Sequence, residues 1–141
     1  MERLPSKTPA LLQDLYSEVQ QVVLLELPHT SLSMISILLE ATLREIIKKK
    51  KGKYPTGATF NKCIFILKDA SIISEKQVLW LKKMNNLVRN SYVHHDVERI
   101  ADNIKTKNLD PEQKKAFDRL VAQELFLEVD RFIKEMIEKN F

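Results

Sequence analysis

Across 141 residues the chain contains two glycines, Gly52 and Gly57, both inside KGKYPTGAT at 51–59. Tight reversals between strands depend on Gly, Asn or Pro, so this scarcity argues for few connections and long helices. An apolar share of 44% and a charged share of 30% are ordinary for a globular chain and exclude intrinsic disorder. The length suits one domain, residues 1–141, large enough for a real core. Cys63 is the only cysteine, which excludes an internal disulfide or a thiolate metal cluster and suits a reduced compartment. Uninterrupted apolar runs, such as Val22 to Leu25, fall far short of the roughly 20 residues a membrane span needs. The start, MERLPSKTPALL, shows no apolar core of a signal peptide. The expectation is a cytoplasmic protein with no membrane partner.

Apolar periodicity divides the chain into helices. Thr8 followed by Pro9 is a good helix start, with Leu11, Leu12, Leu15, Tyr16, Val19, Val22 and Val23 on a 3.6-residue period until Pro28. Thr30 or Ser31 should open a second helix, with Leu32, Ile35, Leu38, Leu39, Leu43, Ile46 and Ile47 as its stripe and its end before Gly52. Thr59 can cap a short third helix bearing Phe60, Cys63, Ile64 and Leu67, with Cys63 acting as a buried small hydrophobe. SEKQ at 74–77 is a capping box opening a fourth helix through Val78, Leu81, Met84, Leu87 and Val88. DPEQ at 110–113 opens the last helix, with Phe117, Leu120, Val121, Leu125, Val129, Phe132, Ile133 and Met136 facing inward. Residues 97–109 read as a short helix followed by a polar loop. No alternating strand pattern occurs, so the predicted fold is all-α: a bundle of four main helices plus short ones.

The formal net charge of +4 is unevenly placed. From Arg44 to Lys68 there are eight basic residues against the single acid Glu45, including Lys48, Lys49, Lys50, Lys51 and Lys53. The plain account is a solvated helix end, where lysines complement the macrodipole and cap free carbonyls. The functional account is a patch that attracts phosphate.

The densest polar chemistry lies in VRNSYVHHD at 88–96, which holds His94 and His95, two of the three histidines. On a helix Asn90 and His94 are i, i+4 neighbours, so the amide can fix the imidazole's orientation and tautomer. Ser91 and His95 form a second such pair on the adjacent face. Arg89 and His94 point about 140° apart, so they line one groove only if the groove embraces the side of the helix. Taken as a helix C-terminus, the segment needs no function beyond histidines meeting the negative end of the dipole. Neighbouring histidines diverge by about 100° and no His-x-x-x-His supplies further ligands, so neither a metal nor a cofactor is expected.

Arg89-Asn90-Ser91-Tyr92-Val93-His94 reads R-N-x-x-x-H and resembles the signature of the HEPN superfamily, the higher eukaryotes and prokaryotes nucleotide-binding domains. The preceding FNKCIFILKDASIISEKQVLWLKKMNNLVRN is also similar to HEPN sequences, and ISILLEATLREIIKKK resembles the family's helix bearing an acid and an arginine. The likeness covers roughly residues 10–140. It implies a metal-independent ribonuclease, of the kind found in toxin–antitoxin, anti-phage and CRISPR-associated systems, whose two protomers face a shared cleft. In that case His94 is the acid/base residue, Arg89 neutralises phosphate charge and Asn90 orients the histidine. Glu40, Arg44, Tyr92 and His95 are supporting candidates. His95-Asp96 stands where nucleotidyltransferase-paired toxins carry a tyrosine, so the likeness does not extend to that subgroup.

The chemistry suits these side chains. RNA carries its own nucleophile, the 2′-OH, so a base, an acid and positive charge beside the phosphate suffice. Histidine titrates near neutrality and serves in either proton-transfer role. Arginine stays charged and its planar fork matches phosphate oxygens. The expected partners are RNA, a second copy of the chain, and an antitoxin or other protein. The alternative reading is a non-catalytic helical module that binds a protein or nucleotide. A third is a regulator that holds nucleic acid through the lysines alone.

Overall fold

The computed structural model describes residues 2–86 and 110–141, apart from the side chains of Lys114 and Phe117. Five helices and no strand occur among the described residues: α1 (Ala10–Leu24), α2 (Pro28–Lys51), α3 (Phe60–Asp69), α4 (Glu75–Met84) and α5 (Pro111–Asn140). The all-α prediction holds. The expected short helix and loop at 97–109 lie outside the described residues.

Local chemistry explains most of the helix boundaries. Thr59 Oγ1 accepts the Lys62 amide at 3.2 Å to open α3. At α4, Gln77 N donates to Ser74 Oγ at 3.2 Å and Ser74 N donates to Gln77 Oε1 at 2.8 Å, completing the predicted capping box. Asp110 and Gln113 repeat that reciprocal arrangement at α5. The end of α2 is closed by Gly52, whose φ of 80° is left-handed and whose amide donates to the Lys48 carbonyl at 2.8 Å.

Two starts differ from expectation. Pro9 is the N-cap of α1 rather than its first helical residue, and the Thr8 hydroxyl is buried with no hydrogen-bond partner among the described residues instead of capping. The second helix begins at Pro28, not at Thr30 or Ser31. A proline has no N–H to leave unsatisfied and its φ is already helical, so it serves as a first helical residue as readily as it ends the preceding run. Ser31 lies inside the helix and its hydroxyl donates back to the Leu27 carbonyl at 2.6 Å.

α2 is the central element, packing against α1, α3 and α5. Its Leu32, Ile35, Leu38, Leu43 and Ile46 are wholly buried. They join Leu12, Tyr16 and Val19 of α1, Cys63, Ile64 and Leu67 of α3, and Val129, Ile133 and Met136 of α5 in one core. α4 adds Val78, Leu81 and Met84, and its Trp80 ring lies 4.8 Å from that of Phe132 on α5. Two residues assigned to the apolar stripes face out instead: Leu11 is 52% exposed and Leu120 54%. Both sit at the edge of a stripe wider than the surface the neighbouring helix covers.

The segment before α1 is strapped down by two glutamines two turns apart. Gln13 exchanges two hydrogen bonds with the Leu4 backbone, at 3.2 and 2.9 Å. Gln20 does the same with Glu2, at 3.1 and 2.8 Å. Each amide imitates a strand partner, so an extended segment lies against a helix with its backbone groups satisfied and Leu4 buried.

Candidate functional site

The lysine-rich end of α2 is exposed at every position of the run, Lys48 to Lys51 and Lys53. No ion pair neutralises any of these five among the described residues, so their charge faces solvent. One of them is held. Lys48 Nζ sits 4.5 Å from the centre of the Tyr54 ring and 3.4 Å from its hydroxyl. That hydroxyl donates to Glu45 Oε1 at 2.6 Å, so the loop folds back along α2 through Tyr54. Lys49, Lys50 and Lys51 lie in the final turn, where the helix dipole alone already favours them, and Lys53 follows the Gly52 cap.

Glu40 and Arg44, the supporting pair drawn from the second helix, form an i, i+4 ion pair at 3.5 Å. The same guanidinium donates to the Ala58 carbonyl at 2.5 Å and the Pro55 carbonyl at 3.3 Å. Two hydrogen bonds from the planar fork thus pin the one Gly- and Pro-containing loop against α2, while Glu40 holds the guanidinium on its own helix. Within the described residues Arg44 is a positioning group for that loop. Cys63 lies in the field of the same pair. Burial pushes its thiol pKa up, opposed by Arg44 and reinforced by Glu40, so it is a poor nucleophile.

Arg89, Asn90, Tyr92, His94 and His95 lie outside the described residues. The described chain leads up to them: Asn85, at the C-terminus of α4, keeps helical dihedrals of −59° and −45°. Ile35, Ser36 and Leu39 of α2, Phe60 of α3, and Met84 and Asn85 of α4 border one small recess. The end of α4 therefore lies beside the middle of α2, about 14 Å along the helix axis from Lys48.

A feature that periodicity did not single out lies between α3 and α4, which run antiparallel. Asn85 Nδ2 donates to Asn61 Oδ1 at 3.4 Å at one end, and Lys68 pairs with Glu75 at 2.7 Å at the other. Between these two points is an open cleft of about 440 Å³ lined by Asn61, Phe65, Lys68, Lys82, Asn85 and Asn86, with Ile64 and Val78 as its floor. Phe65 is 65% exposed there. The signal was present in the sequence, because Asn61, Phe65 and Lys68 fall at i, i+4 and i+7, a second stripe beside the buried one. A lone aromatic among polar residues does not register as periodicity.

Between α1 and α5, Val23 and Leu24 of α1 and Phe126 and Leu127 of α5 line a largely apolar groove of about 800 Å³ beyond the docked Glu2. Leu24 and Leu127 there are 70% and 53% exposed. No described helix is long and apolar enough to cross a membrane. No family model, curated protein or solved structure matches the chain.

Proposed function

We propose that the chain is a metal-independent endoribonuclease of the HEPN type, acting as a homodimer in a defence or toxin–antitoxin setting. The observation that carries this reading is Arg89-Asn90-Ser91-Tyr92-Val93-His94 in an all-α chain, a few residues beyond a capped helix. The unneutralised lysines at the end of α2 support it as a surface for the RNA backbone.

Under this reading one histidine takes the proton of a 2′-OH, whose oxygen attacks the adjacent phosphorus. The P–O5′ bond breaks, and the departing 5′-oxygen receives a proton from the acid, leaving a 2′,3′-cyclic phosphate and a 5′-OH. Arg89 offsets the charge on the phosphate oxygens, and Asn90 keeps the His94 ring in register. A second protomer supplies the second histidine, since one copy of the motif holds too few groups for both proton transfers.

The test is cleavage of single-stranded RNA by the chain and by His94→Ala. A general acid or base contributes about 100- to 10,000-fold, so His94→Ala should abolish cutting with its melting temperature unchanged. Cutting should survive excess EDTA and stop at a 2′-deoxy position. Light scattering should give twice the 16.5 kDa of the chain. EDTA-sensitive activity, or DNA cut as readily as RNA, sinks the mechanism.

A second reading rests on the apolar groove between α1 and α5. The exposed Leu24 and Leu127 that line it are the kind of surface that binds another protein. If no RNA is cut and His94→Ala unfolds the chain, the protein is a helical binding module.

A further inference from the structure

The cleft between α3 and α4 carries more than a solvated helix surface needs. Phe65 is 65% exposed, on the outward stripe of α3 with Asn61 and Lys68. A helix gains nothing in stability from an aromatic ring held in water. Facing it on α4, Lys82 and Asn85 are three residues apart, one turn of helix, and Lys82 has no ion pair among the described residues. The Asn61 and Asn85 amides meet through a single long hydrogen bond of 3.4 Å, and the buried Asn85 Oδ1 has no hydrogen-bond partner among the described residues. A bond this long, made by the exposed Asn61, is readily exchanged for one to another group.

We propose that this cleft seats one unpaired nucleobase of a single-stranded RNA. The base stacks on the Phe65 ring, the Asn61 and Asn85 amides meet its polar edge, and Lys82 neutralises a neighbouring phosphate. The residue types fit each part of such a ligand. Every base has a flat π-face that an aromatic ring accepts without regard to sequence. A carboxamide presents a donor and an acceptor side by side, the pattern that pairs with a base edge. Lys68 is neutralised by Glu75, which marks the far end of the cleft and leaves Lys82 to meet the phosphate. A base inside a duplex cannot expose its face, so the cleft selects unpaired RNA. The inference rests on the ribonuclease reading for the choice of RNA and assigns it a substrate-positioning subsite outside the Arg89–His94 motif.

The test uses the full chain carrying His94→Ala, so that the probe is not cut, and a short single-stranded RNA with 2-aminopurine at one position. Seating against Phe65 should change the probe's fluorescence saturably as protein is added. Phe65→Ala should weaken binding about 5- to 150-fold, the range for loss of one base stack, while duplex RNA binding stays the same. Lys82→Gln should reduce the slope of log affinity against log salt by about 0.7, as expected when one single-strand phosphate is no longer neutralised. Leu79→Ala is the control, because Leu79 is 68% exposed on α4 but does not line the cleft. Phe65→Ala binding as tightly as its parent, or Leu79→Ala losing as much, overturns the cleft. If the chain with His94 intact still cuts RNA in that case, the ribonuclease reading stands without it. Loss of binding in Phe65→Ala with no cutting by the intact chain supports the cleft and removes the nuclease. A parent that binds no RNA overturns both.

Discussion

The Tyr16 hydroxyl donates to Asp130 Oδ1 at 2.5 Å, joining α1 to α5 across 114 residues of sequence. Asp130 also pairs with Lys134 at 3.0 Å, and Lys134 reaches Glu2 at 2.6 Å. The start of the described chain and its last helix are thus held by one network around a wholly buried ring. Burial, followed by the hydrogen bond to Asp130, raises the Tyr16 pKa above its usual value. The hydrogen bond to Glu2 does the same for Lys134.

Tyr16→Phe should therefore destabilise the fold by about 1.5–3 kcal/mol at neutral pH, the range for a hydrogen bond to a charged partner. Both raised groups contribute stability that is complete below their unfolded values and is lost as pH rises past them. For Tyr16 the loss begins near the ordinary tyrosine value of 10.0, where the unfolded side chain ionises first. Urea midpoints of the native protein and the Tyr16→Phe variant should accordingly converge above a pH of about 10. A gap that widens with alkalinity would contradict the assignment.

Arg44→Lys keeps the charge and loses the fork. A lysine cannot serve Glu40, Ala58 and Pro55 together, so about 1–3 kcal/mol should be lost and the 52–59 loop released. Trypsin should then cut faster after Lys53 under native conditions. Unchanged cutting would mean that Tyr54 and its bond to Glu45 hold the loop by themselves.

Much of this architecture is readable in the sequence because short-range rules decide it. Ser74 with Gln77, Asp110 with Gln113, and Gly52 each act within one turn, and each stands where its pattern places it. Long-range pairings leave no such trace. Nothing in the order of residues announces that Gln13 and Gln20 grip the backbone of Leu4 and Glu2, or that Tyr16 meets Asp130. Pro28 is ambiguous for a physical reason, since one residue both ends a helix and starts another. As for the site, the lysines are legible as an exposed run. Arg44, a supporting candidate only through the resemblance of the same helix, holds a loop. Arg89 to His94 stand as a sequence motif.

Cys63 should behave as an unfolding reporter. Its side chain is wholly buried and burial raises the thiol pKa, so little thiolate is present or reachable at a pH of about 8. Labelling by a thiol reagent should be slow in the native protein and rise in step with urea unfolding. Rapid stoichiometric labelling of the native protein would show that α3 opens by itself.

Replacing Lys48, Lys49, Lys50 and Lys51 with glutamine separates the two accounts of the basic run. If these side chains neutralise RNA phosphates, affinity should fall, and the salt slope should flatten by up to about 0.7 for each phosphate no longer neutralised. The fold should barely notice: the four are exposed, and the one held lysine, Lys48 on Tyr54, contributes about 0.5–1 kcal/mol at such a site. If the run serves only the negative end of the α2 dipole, the pattern reverses. Stability then drops by about 0.3–1 kcal/mol per favourable charge removed, mostly at low salt, while RNA affinity stays where it was. Melting curves and RNA titrations at two salt concentrations distinguish these outcomes, and unchanged affinity with lowered stability returns the run to its role as a helix end.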